Sequence, residues 1–141
     1  MRILMWHVDK FKSTITEKGR SKVIERYEDP VTEAEEALVA FSAVEKQDGE
    51  DPEVVAIRAT DAIDSQAELL KVKAIVLHPF AHLFADLANP DIAVEVLDMI
   101  GDRLRERGYE VKRTPFGWFN ELEIKAKGHP VSRVARRITA D

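Results

Sequence analysis

The chain has 141 residues, 45% of them hydrophobic, and a formal net charge of -5. This length has room for one domain with a two-layer core, and we predict a single domain over residues 1–141. The sequence contains no cysteine, which excludes disulfides, thiolate nucleophiles and cysteine metal sites. It contains neither a secretion signal nor a run of the ~20 apolar residues needed to cross a bilayer, so we expect a cytoplasmic protein.

The first half of the chain predicts strands followed by one helix. Residues 2–9 alternate with apolar side chains on both faces, which indicates a central strand. Residues 12–27 are polar and rich in threonine with a glycine near the middle, which predicts a hairpin at the edge of a sheet. Residues 37–44 (ALVAFSAV) predict a buried strand, and Asp51-Pro52 predicts the start of a helix that runs to about Leu70.

The second half alternates between strands and a second helix. Residues 74–77 (AIVL) predict a strand buried on both faces, which ends at His78-Pro79 because proline cannot continue a central strand. Asn89-Pro90 predicts the start of the second helix, and further strands are expected at 109–112 and 121–127. This order favours an α/β fold class, with a mixed β-sheet and two main helices packed on one side.

Two loops are the candidate ligand-binding segments. Ligand crevices in such sheets lie beyond the carboxyl ends of strands, where the strand at 74–77 delivers Phe80-Ala81-His82. A second loop, 114–120 (TPFGWFN), repeats the order of proline, phenylalanine and a residue with little or no side chain. Small residues let a ligand approach backbone N–H groups closely. Converging loops would therefore form a pocket with mainly main-chain contacts; the alternative is that the aromatics fill the core and Gly117 forms a turn.

Other chemistries find little support. No serine lies beside a base in an exposing turn, there is no Gly-rich phosphate loop, and Pro79 keeps His78 and His82 from sharing a helix face as metal ligands, so no metal and no cofactor is expected. The basic ends of the chain offer either a phosphate-binding face on an acidic protein or simply solvated side chains.

The ordered segments MRILMWHVD, ALVAFSAVEK, VLHPFAHLFADLANP, TPFGWF and KAKGHPVSRVAR resemble the N-terminal editing domain of archaeal threonyl-tRNA synthetases. The likeness covers essentially the whole chain, and PFAHL and PFG are its most specific parts. It implies a D-aminoacyl-tRNA deacylase-like fold and proofreading hydrolysis of the ester in L-seryl-tRNA(Thr), with L-threonyl-tRNA(Thr) spared. It also implies a homodimer and the remainder of a threonyl-tRNA synthetase, in cis or in trans.

The resemblance implies a pocket in which backbone donors and the 2′-OH of the terminal adenosine position the attacking water. The expected catalytic residues are His82, Ala81, Phe116, Gly117 and Asn120. The expected substrate-binding residues are Val44, Pro79, Phe80, Ala81, Trp118 and Phe119. The expected tRNA-binding residues are Lys125, Lys127, His129, Arg133 and Arg136.

The chain departs from the family at two positions. Asn120 stands where relatives carry a lysine, and Arg133 stands where they carry a glutamate, so we expect the RNA and the backbone to do the work of those side chains. Two alternatives stay open. One is a D-aminoacyl-tRNA deacylase, although its Ser-Gln-x-Thr and Gly-Pro motifs are not found here, and the other is a noncatalytic tRNA-binding or dimerisation module.

Overall fold

One long strand organises the sheet. In the computed structural model, which describes residues 1–141, β1 pairs antiparallel with β2 along one edge, while β5 and β6 divide its other edge. β3 then lies parallel to β2, and β4 parallel to β3. The strands are β1 (Arg2–Lys18), β2 (Val31–Ala43), β3 (Ala74–Pro79), β4 (Glu110–Arg113), β5 (Trp118–Ala126) and β6 (Arg133–Arg137).

Two helices cover one face of this sheet, and they begin where the sequence predicts. α1 (Pro52–Leu70) is capped by the Asp51 carboxylate, which accepts from the Val54 amide, and α2 (Pro90–Glu106) by the Asn89 side chain. Both have proline in the first turn, where the missing N–H costs nothing. No helix is long and apolar enough to span a membrane. The predicted fold class is therefore confirmed: a single-domain mixed sheet with two helices on one side.

The opposite face of the sheet is covered because the sheet curls over onto itself. Phe11 pairs with Ala34 on β2, and Phe41, seven residues farther along β2, pairs with His78. In a flat strand seven residues span about 23 Å, yet the rings of Phe11 and His78 lie 5.8 Å apart. The sheet must therefore curl, and bulges between Val8 and Lys10 and between Ile15 and Glu17 supply the bend in β1.

The curl creates a second core. A cluster of 20 buried residues lies between the sheet and the helices. A cluster of 6 buried residues without a helical member fills the concave face, and Phe11, Phe41 and Val76 belong to it. Because this concave cluster lies beside the carboxyl end of β3, the curl also shapes the surface at which β3 ends.

The predicted edge hairpin over residues 12–27 is wrong. β1 continues to Lys18, paired with β2 as far as Thr14 and with β5 to its end, and residues 19–30 form an irregular connection to β2. The polar pattern is misleading because the end of β1 is exposed from Thr16 to Lys18 although it is still paired with β5, and Gly19 makes a close backbone approach instead of a turn. β6 was not predicted, since its sequence RVARR carries no apolar alternation.

Candidate functional site

A cleft of about 520 Å³ opens at the carboxyl ends of β2 and β3. Both Pro-Phe bends line it, Pro79-Phe80 from the end of β3 and Pro115-Phe116 from the connection between β4 and β5. Every residue assigned from the sequence to catalysis or substrate binding lies on its wall. These residues are Val44, Pro79, Phe80, Ala81, His82, Phe116, Gly117, Trp118, Phe119 and Asn120.

A second depression, of about 550 Å³, lies at the opposite ends of the helices. Its wall is mostly charged, and Arg107 already pairs there with Asp64 at 2.7 Å. Neither Pro-Phe bend reaches this depression, and only three of its nine lining residues are hydrophobic, so the cleft at the strand ends is the better candidate.

The first bend is anchored at both ends and free in the middle. The Phe80 amide donates to the Ser42 carbonyl at 2.8 Å, and farther along the Ala88 amide donates to the Val44 carbonyl at 3.0 Å. Between these anchors, the amides of Ala81 and His82 donate to no protein acceptor. The bend therefore presents two unsatisfied N–H groups beside the cleft.

The second bend depends on glycine. Gly117 has φ +95°, a left-handed value that side chains other than glycine rarely adopt. The Phe116 amide donates to the Glu25 carboxylate at 2.7 Å, and the Gly117 carbonyl accepts from the Gly19 amide at 2.8 Å. Of the Phe116 and Gly117 amides, only the Gly117 amide has no protein acceptor.

The connection after β1 contributes wall residues that sequence reasoning missed. Gly19, Arg20 and Ser21 line the cleft, and a Cβ on Gly19 would lie 2.4 Å from the Gly117 carbonyl oxygen. The only sequence signal for this approach is Gly19 itself, and its polar neighbours favour a hairpin there instead. α2 also contributes wall residues, Pro90, Ala93 and Leu97.

The two histidines of the first bend have different environments. His78 is 2% exposed, its ring packs against Phe11 and Phe41, and its Nδ1 hydrogen-bonds the Thr114 hydroxyl at 2.8 Å. Burial lowers the pKa of His78 to about 4, so it is neutral at physiological pH. His82 is exposed and contacts Phe80 edge-on with ring centroids 5.1 Å apart. His82 is therefore the accessible imidazole of the cleft.

The buried His78 predicts acid sensitivity of the fold. The pKa of His78 falls from 6.5 to about 4 on folding. Between pH 6.5 and pH 4, His78 is therefore protonated in the unfolded chain but neutral in the folded chain. The stabilisation is complete above pH 6.5 and is lost as the pH falls toward 4, by about 3 kcal/mol. We expect the wild type to lose more free energy of unfolding than His78→Gln between pH 7 and 4.5, measured by urea denaturation. Parallel pH profiles of the two proteins would contradict this.

The five residues assigned to tRNA binding lie outside the cleft wall. Lys127 forms ion pairs with Asp9 and Glu36, His129 hydrogen-bonds His7 at 2.9 Å, and the Arg133 guanidinium lies 5.4 Å from the Trp6 ring centroid. The two others, Lys125 and Arg136, are exposed and form no ion pair. The only formally charged side chain on the cleft wall is Arg20, which is exposed and unpaired.

Comparisons with known proteins agree on one family. The model of a family described as the archaea-specific editing domain of threonyl-tRNA synthetase matches residues 1–138. Threonine–tRNA ligase of Methanopyrus kandleri is 44% identical over 143 residues, covering 100% of this chain and 22% of that protein. The Methanocaldococcus jannaschii ligase is 43% identical over 140 residues, with 99% and 22% covered. The chain thus spans about a fifth of these relatives.

Among solved structures, the c-Myc DNA unwinding element binding protein has a similar fold. The TM-score is 0.66 with 11% sequence identity, and the match covers 97% of this chain and 98% of that one. At this identity the likeness describes the fold alone.

Proposed function

The chain belongs to the archaea-specific editing domains of threonyl-tRNA synthetase, and from this premise we propose that it hydrolyses the ester of L-seryl-tRNA(Thr) and spares L-threonyl-tRNA(Thr). The observation that carries the proposal is the shared cleft of the two Pro-Phe bends, at which the amides of Ala81, His82 and Gly117 have no protein acceptor. A site rich in free amides suits a reaction whose main demand is to stabilise an oxyanion.

The proposed chemistry is addition of water followed by loss of the tRNA. Water attacks the ester carbonyl carbon, the carbonyl oxygen becomes an oxyanion held by the free amides, and the carbon–oxygen bond to the ribose breaks. The ribose oxygen takes up a proton, and serine leaves as its carboxylate. The 2′-OH of the terminal adenosine positions the water, and His82 is the accessible group for proton transfer. An aminoacyl ester is already activated, so placement and oxyanion stabilisation suffice.

The need for such a cleft follows from the size of the amino acids. Serine lacks the methyl group of threonine, and a missing methylene in a binding pocket discriminates only about 10- to 200-fold. A second, smaller pocket reverses the discrimination because serine enters it while the methyl of threonine meets the wall. Val44, which lines the cleft and is 3% exposed, is our candidate for that wall, together with Phe80 and Ala81.

Enlarging the wall should admit threonine. For Val44→Ala we expect hydrolysis of Thr-tRNA(Thr) to rise at least ~10-fold relative to Ser-tRNA(Thr), measured as the ratio of kcat/KM for the two substrates. Val55→Ala is the matched control because Val55 is fully buried on α1, away from the cleft. If the ratio of kcat/KM is unchanged in Val44→Ala, or changes equally in Val55→Ala, then Val44 does not form the wall that excludes threonine.

The function itself is tested by deacylation assays on Ser-tRNA(Thr) and Thr-tRNA(Thr) in parallel. We expect the protein to shorten the ester half-life of the seryl substrate and to leave the threonyl substrate near its spontaneous rate. Equal release of both would refute the proposed selectivity. Preferential release of a D-aminoacyl group would indicate chiral proofreading, and unchanged half-lives would indicate a noncatalytic module.

Arg20 is our candidate contact for the RNA backbone at the cleft. It is the wall's only formally charged side chain, and a polyanion needs local positive charge on a protein of net charge -5. For Arg20→Ala we expect KM for Ser-tRNA(Thr) to rise about tenfold and the salt dependence of binding to fall by about one unit of log–log slope. Arg136→Ala is the comparison outside the cleft. If only that variant weakens binding, the basic residues of β5 and β6 carry the RNA.

We propose that the chain forms a homodimer and acts beside the other domains of a threonyl-tRNA synthetase. Sedimentation velocity of this chain measures its oligomeric state. A comparison of its tRNA affinity with that of a full-length relative measures how much the other domains contribute to tRNA binding.

A further inference from the structure

The connection after β1 is held to the second bend through one residue, Glu25. Its amide donates to the Phe116 carbonyl at 3.0 Å, and its carboxylate accepts from the Phe116 amide at 2.7 Å. Its carbonyl accepts from the Trp118 indole N–H at 2.7 Å. Backbone and side chain of Glu25 therefore grip the bend on both sides of Gly117.

Glu25 is in turn held by Arg113, the last residue of β4. The guanidinium binds both carboxylate oxygens at 2.5 Å and reaches Asp98 on α2 at 2.8 Å. The Arg113 side chain is 13% exposed and that of Glu25 22%, so water competes weakly for this bidentate pair. Although burial acts to raise it, the pKa of the Glu25 carboxyl lies below its usual range because of the Arg113 guanidinium and the Phe116 amide.

The contacts of Glu25 determine which backbone N–H groups of the second bend are free to bind a ligand. Because Glu25 takes up the Phe116 amide, Gly117 supplies the bend's free N–H. The close approach of the Val23 carbonyl, 2.4 Å from where a Cβ of Gly117 would lie, packs the connection directly against that residue. Segment 19–30 thus contacts the bend at Phe116, Gly117 and Trp118, on both sides of the Gly117 amide.

We propose that Glu25, clamped by Arg113, is a positioning residue that orients the Gly117 amide toward the carbonyl oxygen of the aminoacyl ester. This inference rests on the proposed hydrolysis. It assigns a catalytic consequence to an ion pair outside the cleft wall, since neither Glu25 nor Arg113 lines the cleft.

A matched ion-pair network separates positioning from mere stabilisation. Arg107 binds Asp61 and Asp64, both at 2.7 Å, and joins α1 to the end of α2 far from the bends. Its loss removes a comparable set of bonds without touching the cleft. Arg107→Gln is therefore the control for the general effect of breaking an arginine–carboxylate network in this chain.

The test compares kcat and KM for Ser-tRNA(Thr) at a temperature where thermal melts show every variant folded. For Glu25→Ala we expect kcat to fall about 100-fold, the usual cost of a lost oxyanion donor, with KM within about twofold of wild type. Glu25→Gln should recover part of the loss because its amide oxygen still accepts from the Phe116 N–H. Arg107→Gln should keep kcat within about twofold of wild type.

A second measurement does not depend on activity. In ¹H–¹⁵N spectra of the free protein, Glu25→Ala should shift or broaden the Gly117 amide signal, and Arg107→Gln should leave it in place. An unmoved Gly117 signal in Glu25→Ala, or equal kcat losses in Glu25→Ala and Arg107→Gln, would overturn the inference. A wild type that hydrolyses no seryl ester would overturn the proposed function, and the positioning role with it, whereas an active wild type with an active Glu25→Ala variant would overturn the positioning role alone.

Discussion

A Ser-tRNA(Thr) that ends in 2′-deoxyadenosine should be hydrolysed at least ~100-fold more slowly than the natural substrate, the loss expected when a reacting group is misplaced. The reason is the composition of the cleft wall, which carries no carboxylate and no lysine. His78 is neutral and bonded to Thr114, so it is a poor candidate to activate water. The hydroxyl of the substrate is then the best-placed group to orient the nucleophile. Single-turnover rates with the two tRNAs measure the effect.

The control for this experiment is Asn120→Ala. Asn120 lines the cleft, and we expect the variant to retain most deacylation because we propose that the backbone and the RNA carry the reaction. Unimpaired turnover of the deoxy substrate would refute assistance by the 2′-OH. If Asn120→Ala lowers the deacylation rate as much as the deoxy substrate does, the Asn120 side-chain amide rather than the 2′-OH positions the attacking water.

Gly117→Ala should abolish most of the activity and also destabilise the fold. Gly117 has φ +95°, where alanine is strained by about 1 to 3 kcal/mol. Its new Cβ would lie 2.4 Å from the Val23 carbonyl oxygen and 2.9 Å from the Ile24 Cδ1 atom. The bend or the connection must move, and the Gly117 amide moves with it, so we expect kcat to fall at least ~100-fold. Deacylation rates and thermal melts measure the two effects.

Gly108→Ala separates backbone strain from the close approach. Gly108 has the same φ of +95°, but no atom lies within 4 Å of its added Cβ. We expect this variant to lose about 1 kcal/mol of stability and to keep wild-type deacylation. If Gly117→Ala is as active as Gly108→Ala at a temperature where both are folded, the second bend is not part of the catalytic site.

Much of the fold could be predicted because its signals are local. Asp51-Pro52 and Asn89-Pro90 begin helices through bonds within one turn, and the apolar run at 74–77 forms a strand in the middle of the sheet. The first half of β1 carries apolar side chains toward both faces, and it is central as predicted. In each case the residues that specify the element lie within it or next to it.

The sequence by itself determined the helices, the apolar strands, the two Pro-Phe bends and the family, since these depend on neighbouring residues or on a pattern kept over the whole chain. Only the tertiary structure decided that β1 runs on to Lys18 and curls, that segment 19–30 packs against the second bend, and that Glu25 meets Arg113. Those contacts join residues far apart in the chain through an irregular segment. Such a segment has no periodicity to predict its partners, and its position follows from strand register and from how far the sheet bends.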